Sequence, residues 1–503
     1  MTMTVRALGE ELSGRYAEQT AYTYKAQGQP PQSLTYAELQ LLSARMAGYF
    51  YERGVRKGHY MAFYCDNPLH SAIAYWACLK LGAVCMPLNM EDDRFYRVLD
   101  VLSPDAFFVS ASMLPALTPH ISGSQQLFLH DAAIEAAQNP QIAMSYAETP
   151  LGGNDPAFLY FTSGSTGLPK GVMLSHSNLV SYTLLGGQNY KFHSTDSFLC
   201  HAPLHSDMSL FPLFLPLAAG ARCVLISPRQ RWNPQYVKNI ILEERISTLF
   251  LVPSALRLLL LVLREEEELS RVNSLFLSGE KASLSEVRSA QIHFTNAQVY
   301  NLYGNTECND ILAYPIPADA HELADLPLGK PLPYVKTLLL DDALQPCRDG
   351  EIGELYVSSP TVMHGYYSSR ETGPTQRIPG HQELFFPTKD LMTRKHGVYY
   401  YVSRKDNMVK ISGQRVYLSA VESVIKQHSE VVEAAVIAIT HENRVQLSAA
   451  VHGSFISVNG LREHCSTYLP PYAVPASFWI SEVPLPKTTT GKTDYQELKR
   501  QFI

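Results

Sequence analysis

The segment 160–171, which reads Tyr-Phe-Thr-Ser-Gly-Ser-Thr-Gly-Leu-Pro-Lys-Gly, constrains the fold more than any other part of the chain. It joins two apolar, strand-like runs, 157–161 and 171–174, which argues against an ordinary Gly/Ser-rich linker. Its glycines let backbone N–H groups approach an anion, its hydroxyls add donors, and Lys170 adds a cation. The segment therefore predicts a phosphate-binding loop. It is not the Walker pattern, because no glycine precedes Lys170 and no Ser or Thr follows it.

Helical and strand-like segments alternate along much of the chain. Thr35 and Glu38 have the spacing of a capping box at the start of a helical pattern, and Ser177 is expected to cap another helix. A helix is predicted over 71–81, and strands are predicted over 61–64, 83–88, 248–252 and 274–278. This alternation predicts an α/β fold with a largely parallel sheet.

Composition and charge exclude several classes of function. The 503 residues predict more than one folding unit. A net charge of −6 without a long basic block argues against nucleic acid or a membrane as the main partner. The eight cysteines lack a CxxC or metal-like spacing, which is typical of free thiols in a reducing compartment. Residues 1–11 lack a signal-peptide core, and the longest apolar run, 258–263, predicts a buried helix with a solvated end, so a cytoplasmic location is expected.

Two further segments carry side chains suited to ligand chemistry. In the string 303–307, Tyr303 offers a flat face for a purine, Thr306 a hydroxyl, and Glu307 a hard oxygen ligand suited to Mg²⁺. Asp207 lies among apolar residues and needs a partner, because burying an unpaired carboxylate is costly. From residue type alone, Asp207 is equally well interpreted as a helix N-cap or as part of a ligand site.

The order of these segments resembles the adenylate-forming superfamily of acyl-CoA ligases, luciferases and peptide-synthetase adenylation domains. The resemblance covers roughly residues 30 to 495. Its motifs are the phosphate loop, Gly279-Glu280-Lys281, Tyr303-Gly304-Asn305-Thr306-Glu307, Thr388-Lys389-Asp390, the hinge segment 401–415, and the final Pro486-Lys487-Thr488-Thr489-Thr490-Gly491-Lys492. Three positions depart from the family pattern: Asn305 replaces proline, while Lys389 and Ser403 replace glycines.

The resemblance implies an α/β fold in two domains. Residues 1–403 are expected to form a large N-terminal domain of stacked αβ subdomains with a β-barrel-like part. Residues 404–503 are expected to form a small, mobile α+β C-terminal domain that turns about a hinge near Asp406.

The implied reaction has two steps, and most of the motifs are assigned to its nucleotide. A carboxylate attacks the α-phosphorus of ATP, giving an acyl-adenylate and pyrophosphate, and a thiol then takes the acyl group and releases AMP. Lys492, Thr166 and Glu307 are the expected catalytic residues, with Glu307 also holding Mg²⁺. The expected ATP- and AMP-binding residues are Thr162, Ser163, Gly164, Ser165, Thr166, Gly167, Lys170, Gly279, Glu280, Lys281, Asn301, Tyr303, Gly304, Thr306, Asp390, Tyr401 and Arg404.

The resemblance also indicates which acid is activated. Asp207-Met208-Ser209 matches a peptide-synthetase motif whose aspartate holds the substrate α-ammonium, with Ser206 in place of the usual aromatic residue. The expected pocket wall is Asp207, Met208, Phe211, Phe250, Phe276, Ser278, Leu302, Asp310 and Ile311. Its phenylalanines suit a small or cyclic apolar amino acid, and the pattern is most similar to free-standing prolyl-carrier-protein ligases. His205 lies where acyl-CoA ligases often place a gating histidine, or it is a pocket-wall residue.

The acceptor is expected to be the phosphopantetheine thiol of a carrier protein supplied in trans, since the sequence contains no carrier segment; coenzyme A is the alternative. Asp310 leaves the substrate open, because it could meet a second cationic group, as in a diamino or β-amino acid, or pair with a polar neighbour such as Asn309. An acyl- or aryl-CoA ligase is the rival enzyme. A non-catalytic binding module is a further rival, against which the intact Lys170, Glu307, Asp390, Arg404 and Lys492 argue.

Overall fold

The structure is a computed structural model of the chain. It describes residues 3–89, 98–99, 102–121, 123–163, 169–264, 266–318, 320, 323, 325–367, 374–405, 408–411, 414–441, 444–487 and 493–502. The predicted loop residues 164–168, the hinge residue Asp406 and the catalytic candidate Lys492 lie outside these described residues.

The chain divides into two compact units. The first comprises Met1–Lys336 and Val357–Gln376, and the second comprises Thr337–Tyr356 and Arg377–Ile503. Residues just before the predicted boundary at 403/404 thus group with the C-terminal residues. The boundary and the hinge at Asp406 stay predictions.

Both units contain helices. Short 3₁₀ turns accompany them, one of which is Asp207–Ser209. The α-helices of the described residues are α1 Val5–Tyr16, α2 Tyr36–Glu52, α3 Pro68–Leu81, α4 Leu114–Leu117, α5 His130–Gln138, α6 His176–Tyr190, α7 Leu210–Phe214, α8 Pro234–Glu243, α9 Pro253–Leu260, α10 Leu284–His293, α11 Leu418–Ile425, α12 Val458–Tyr468 and α13 Tyr495–Phe502.

The strands form two large sheets in the first unit and smaller sheets elsewhere. They are β1 Thr20–Lys25, β2 Gln32–Thr35, β3 Tyr60–Tyr64, β4 Val84–Pro87, β5 Ala106–Val109, β6 Gln126–Leu129, β7 Pro156–Ser163, β8 Pro169–Ser175, β9 Ser197–Cys200, β10 Arg222–Ile226, β11 Thr248–Leu251, β12 Ser274–Leu277, β13 Gln298–Asn305, β14 Asn309–Pro315, β15 Lys330–Pro331, β16 Lys336–Leu340, β17 Ile352–Ser358, β18 Gly365–Tyr366, β19 Gln376–Arg377, β20 Leu384–Lys395, β21 Val398–Arg404, β22 Met408–Ile411, β23 Gln414–Tyr417, β24 Val431–His441, β25 Arg444–Gly453 and β26 Ser477–Ser481.

The two large sheets place the site residues at strand ends. One has the order β15-β14-β13-β12-β11-β9-β10-β1-β2, and the other β18-β8-β7-β4-β3-β5-β6. In the first, β9, β11, β12 and β13 are neighbours and parallel, so their carboxyl ends meet at one edge. In the second, β7 and β8 form the antiparallel pair that flanks the predicted phosphate loop. The predicted α/β alternation is therefore confirmed.

Helix starts follow the capping chemistry of the sequence, with one correction. Thr35 and Glu38 form the predicted capping box of α2. The prediction that Ser177 caps α6 is wrong, because Ser175 is the N-cap and forms a capping box with Asn178. Ser175 ends strand β8 with extended dihedrals, φ −86° and ψ 167°, as an N-cap requires. Ser177 lies in the first turn of the helix instead.

The apolar run 258–263 begins in helix α9, which ends at Leu260, and Leu261 beyond it is 79% exposed. This agrees with the prediction of a buried helix with a solvated end. Within the part of the chain that the structure describes, no helix is long and apolar enough to cross a membrane.

Candidate active site

The predicted phosphate loop is held between two paired strands. Thr162 pairs with Lys170, and Ser163 pairs with Pro169, in the antiparallel β7–β8 register. The Thr162 hydroxyl donates to the Lys170 carbonyl over 3.5 Å. Both ends of the loop are therefore fixed in the sheet.

Lys170 and Glu307 both contact one tyrosine that the sequence did not single out. The Lys170 ammonium lies 5.7 Å from the centre of the Tyr366 ring. The Tyr366 hydroxyl donates to Oε1 of Glu307 over 2.9 Å. The backbone adds a further tie, since the Met363 N–H donates to the Glu307 carbonyl over 2.6 Å. The structure thus brings a cation and a carboxylate together around Tyr366, although they are distant in sequence.

The turn that carries Glu307 depends on a close backbone approach at Gly304. Strands β13 and β14 form a hairpin in which Gly304 pairs with Asp310. A Cβ at position 304 would lie 2.1 Å from the Asn309 carbonyl oxygen, so a side chain there would force the hairpin open. Thr306 and Glu307 occupy the turn and are half-buried. The hairpin forms with Asn305 at the family's proline position.

Gly279 brings the predicted adenine-side turn against the predicted substrate pocket. It has φ +84°, and a Cβ there would meet the Met208 sulfur at 3.0 Å. Glu280 is engaged locally, because its carboxylate accepts from the backbone N–H and the hydroxyl of Ser254, each over 3.1 Å. Lys281 is exposed.

The predicted pocket phenylalanines form one aromatic cluster. Phe250 on β11, Phe276 on β12 and Tyr300 on β13 are in parallel register. Phe211 stacks on Phe250 with ring centroids 4.4 Å apart, and Phe276 stacks on Tyr300 at 4.7 Å. Phe211 and Phe276 are fully buried. The other apolar wall residues, Leu302 and Ile311, are buried too, as is Ser278.

Asp207 is not a helix N-cap. Ser206 is the N-cap of the 3₁₀ turn Asp207–Ser209 and accepts from the Met208 N–H over 3.4 Å. The Asp207 carboxylate is half-buried and accepts from the Ser206 hydroxyl over 3.5 Å. Burial raises the pKa of the Tyr160 phenol, on strand β7, well above its usual value, and the Asp207 charge adds to the effect. Asp207 therefore lies near the strand that leads into the phosphate loop.

Asp310 is a buried carboxyl among tyrosines. It accepts from the Tyr182 hydroxyl over 2.9 Å, whereas Asn309 donates to the Thr361 carbonyl over 3.5 Å. Burial, with the nearby charge of Asp207, raises the pKa of Asp310 to about 7. Tyr182, Tyr190 and Tyr334 all have pKa values raised by burial and then by the Asp310 charge. Within the described residues, the Tyr190 and Tyr334 hydroxyls have no hydrogen-bond partner.

Sequence reasoning missed these tyrosines because nothing near them resembles a motif. Tyr182 and Tyr190 lie eight residues apart on helix α6, a spacing that places both on one side of the helix. That spacing is the one signal that could have suggested a joint role. Tyr334 and Tyr366 lie in segments with no such pattern.

In the second unit, Asp390 is fixed by strand pairing. It lies opposite Arg404 in the β20–β21 pair, and the Arg404 guanidinium is 3.7 Å from its carboxylate. Asp390 is 4% exposed, and its backbone N–H donates to the Thr388 hydroxyl over 3.1 Å. The structure thus places together two residues predicted to bind the nucleotide. Burial raises the pKa of neighbouring Tyr401, and the Asp390 charge adds to the effect.

Lys389 occupies its turn in the left-handed region, with φ +62°. Its backbone N–H donates to the Glu354 carboxylate over 3.2 Å. This conformation explains why the family pattern has glycine here, since glycine adopts it without the steric cost that a Cβ carries. The turn forms with lysine nonetheless.

The segment before the predicted hinge is held by ion pairs. The Lys405 ammonium lies 2.9 Å from the Glu354 carboxylate and 3.3 Å from Asp342, and hydrogen bonding to Glu354 raises the pKa of Lys405. Ser403, at the family's glycine position, is fully buried, and its hydroxyl donates to the Arg404 carbonyl over 3.2 Å.

The remaining predicted residues differ in how deeply they are buried. Asn301 is buried and donates to the Pro327 carbonyl over 2.7 Å, so its amide serves the backbone. Tyr303 is half-buried at the end of β13, and His205 is half-buried in the loop after β9. Their ligand roles stay predictions.

Known proteins match the chain along nearly all of its length. It is 28% identical over 97% of its length to L-proline–[L-prolyl-carrier protein] ligase of Pseudomonas fluorescens, of which it covers 97%. It is 29% identical over 99% of its length to the ligase of that name from Streptomyces coelicolor, of which it covers 96%. Among solved structures, Klebsiella oxytoca NpsA in complex with 3-hydroxyanthranilyl-AMSN matches at a TM-score of 0.82, with 25% identity and coverage of 100% of this chain and 99% of that one.

The fold and the site together define an adenylate-forming enzyme with a large N-terminal and a small C-terminal domain, which confirms the predicted class of fold. The sequence matches AMP-binding enzyme over residues 10–367 and AMP-binding enzyme C-terminal domain over residues 420–492. The chain belongs to the AMP-binding enzyme family, and it is an ATP-dependent, AMP-forming ligase.

Replacing Asp310 with asparagine is expected to change the pH dependence of stability. The carboxyl has its pKa raised from 3.8 to about 7 on folding, so the unfolded chain loses this proton first as pH rises. Its contribution to stability is complete below about pH 4 and is lost as pH rises to about 7. Asp310→Asn keeps an acceptor for Tyr182 but does not titrate. Thermal unfolding scans should therefore show the variant gaining stability relative to wild type across this window.

The control for that experiment is Glu135→Gln, at an exposed position of α5. It should follow the wild-type pH profile. Parallel profiles for wild type and Asp310→Asn would mean that Asp310 is ionised in the folded protein at all these pH values.

Replacing Lys389 separates backbone strain from side-chain contacts. Lys389→Ala keeps the Cβ in the left-handed turn, whereas Lys389→Gly removes it. We expect the glycine variant to be more stable than the alanine variant by about 1 kcal/mol, because relief of left-handed strain exceeds the extra chain entropy of glycine. Thermal unfolding of both variants measures the difference. An alanine variant as stable as the glycine variant would contradict the strain argument.

Proposed function

We propose that this enzyme activates a small amino acid as its aminoacyl-adenylate and then transfers the aminoacyl group to the phosphopantetheine thiol of a separate carrier protein. The observation that carries the proposal is the position of Asp207, a half-buried carboxylate that does not cap the 3₁₀ turn and lies four residues before Phe211 of the packed aromatic cluster. A substrate ammonium would donate a charge-assisted hydrogen bond to this carboxylate.

A small, apolar side chain suits the pocket best. Phe211 and Phe276 are fully buried, Phe250 is 4% exposed, and the three rings pack against one another. Met208 lies against Gly279 and narrows the same region. Proline or a similar amino acid is therefore the favoured substrate. The two relatives named as L-proline ligases support the same choice.

The nucleotide would lie between the phosphate loop and the turn at Glu307. Glu307 uses one lone pair on the Tyr366 hydroxyl, which leaves the other carboxylate positions available for Mg²⁺. Glu307 would hold Mg²⁺, which would supply positive charge to neutralise the phosphates. Lys170 would bind the outer phosphates, and Asp390 would accept from the ribose hydroxyls with Arg404 holding the carboxylate in place.

Catalysis in this proposal consists of positioning and charge neutralisation. Lys492 would bridge the substrate carboxylate and the α-phosphate, and Asp207 would fix the ammonium so that the carboxylate oxygen points at phosphorus. Such interactions act on the transition state because charge shifts toward the leaving pyrophosphate. The thiol of the second step needs no nucleophilic side chain from the protein.

Asp310 favours a second candidate substrate, a short diamino or β-amino acid. Its carboxyl is 5% exposed, it interacts with Asp207, and two nearby tyrosine hydroxyls have no partner within the described residues. A second substrate amine would neutralise this cluster. With proline, Asp310 would instead remain a neutral acid bonded to Tyr182.

Amino-acid-dependent ATP–pyrophosphate exchange tests the proposal. Across the standard amino acids, ornithine, diaminopropionate, β-amino acids and aryl acids, proline or a small neutral relative should give the highest rate. Asp207→Asn should lower that rate by about a hundredfold or more, because the ammonium loses its charged partner, while ATP binding measured by calorimetry stays near wild type. Glu135→Gln is the matched control and should retain full exchange.

Other outcomes separate the alternatives. A diamino acid as best substrate, with loss of that preference in Asp310→Asn, would replace the proline assignment. Exchange with an aryl or fatty acid that survives Asp207→Asn would make the enzyme an acid–CoA ligase. Comparing phosphopantetheinylated carrier protein with coenzyme A as acceptor then tests the second step, and faster transfer to coenzyme A would overturn the carrier assignment.

A further inference from the structure

A second cluster of ligand-type side chains lies at the carboxyl edge of the seven-stranded sheet. A sulfur or nitrogen atom from each of Cys65, His70 and His130 lies within 4.8 Å of the others. Among the described residues, these three form the one group of histidine, cysteine or acidic side chains close enough to share a metal ion. None of them belongs to the motifs assigned to ATP or to the amino acid.

The fold brings these residues together from two distant segments. Cys65 directly follows strand β3, and His70 lies in the first turn of α3, whose N-cap Asn67 accepts from its backbone N–H over 3.3 Å. His130 is the first residue of α5, directly after strand β6. Strands β3, β5 and β6 are adjacent and parallel, so their carboxyl ends lie at the same edge. The cysteine spacing in the sequence therefore carries no metal signal.

The distances within the cluster are close to those between ligands of one ion. The Nδ1 atoms of His70 and His130 are 2.7 Å apart, and the Asp131 carboxylate lies 3.1 Å from Nδ1 of His130. Ligands at zinc distances on a tetrahedral ion are about 3.3 Å apart. A small outward movement of the two rings would therefore admit an ion between them, with water as the fourth ligand.

The other nitrogen of His130 has the support that metal-binding histidines usually have. The Asp66 carboxylate lies 3.5 Å from Nε2 of His130. Asp66 is itself held by Ser110, which follows strand β5 and donates to it over 2.5 Å. A carboxylate behind a histidine fixes the ring orientation and directs its opposite nitrogen toward the metal.

The Cys65 thiol donates to the Asn67 carbonyl over 3.2 Å. Binding would replace this hydrogen bond with a metal–thiolate bond and release one proton to solvent.

We propose that Cys65, His70 and His130 form a binding site for a zinc-type divalent ion. One thiolate and two imidazoles form a ligand set that suits Zn²⁺ rather than Mg²⁺ or Ca²⁺. The ion would join the end of β3 to the end of β6 across β5. Its role is structural, since it would tie together strand ends on either side of β5.

The test uses the full-length protein, stripped with a chelator and titrated with Zn²⁺ or Co²⁺ alone. We expect one equivalent of zinc per chain and a rise of several degrees in the thermal unfolding midpoint. Cobalt should give visible bands of a tetrahedral site and a thiolate-to-cobalt charge-transfer band. Cys65→Ser should remove the charge-transfer band and weaken zinc binding by about tenfold or more.

The matched controls replace a cysteine and a histidine that lie outside the cluster. Cys347→Ser alters another buried thiol, and His428→Ala alters the His428–His464 pair, whose rings are 5.3 Å apart. Both should bind zinc as wild type does. If the larger change His130→Ala prevents folding, the nearly isosteric Cys65→Ser variant still tests whether the cluster binds metal. Failure of wild type to bind zinc, or an unchanged cobalt spectrum in Cys65→Ser, would leave the cluster as a hydrogen-bonded histidine pair.

Discussion

The parallel alignment of β9, β11, β12 and β13 is the constraint on which the site depends. Because neighbouring parallel strands end at one edge, Phe250 and Phe276 stand side by side and Gly279 follows directly beyond them. The antiparallel partner β14 then returns along β13 and places Asp310 opposite Gly304. Residues from four separate stretches of sequence are thereby brought to one region of the sheet. None of these contacts would survive a change in strand order.

Electrostatics distinguishes the two carboxyls of this region. Asp207 is half-buried at the start of a 3₁₀ turn, whereas Asp310 is buried and shares its surroundings with three tyrosines. Burial raises the pKa of the Asp310 carboxyl, and the nearby charge of Asp207 adds to the effect. The charge of Asp207 therefore opposes ionisation of Asp310, because like charges repel strongly in an apolar setting.

Local patterns in the sequence predicted the structure where the controlling interactions are short in range. The capping box at Thr35 and the strands around the phosphate loop are set by neighbouring residues, and both were found correctly. The error at Ser177 arose because two serines lie two residues apart, and the strand before the helix, rather than residue type, decides which one caps it.

By itself, the sequence determined the class of fold and which residues make up each motif. These features are local: the phosphate loop is a run of glycines and hydroxyls between two strands, and Glu307 is a carboxylate within a short motif. Only the tertiary structure decided which side chains meet. Tyr366 joins Lys170 to Glu307, Tyr182 bonds to Asp310, and His70 faces His130, in each case between segments far apart in the chain. These contacts depend on strand order and helix packing, which no single stretch of sequence encodes.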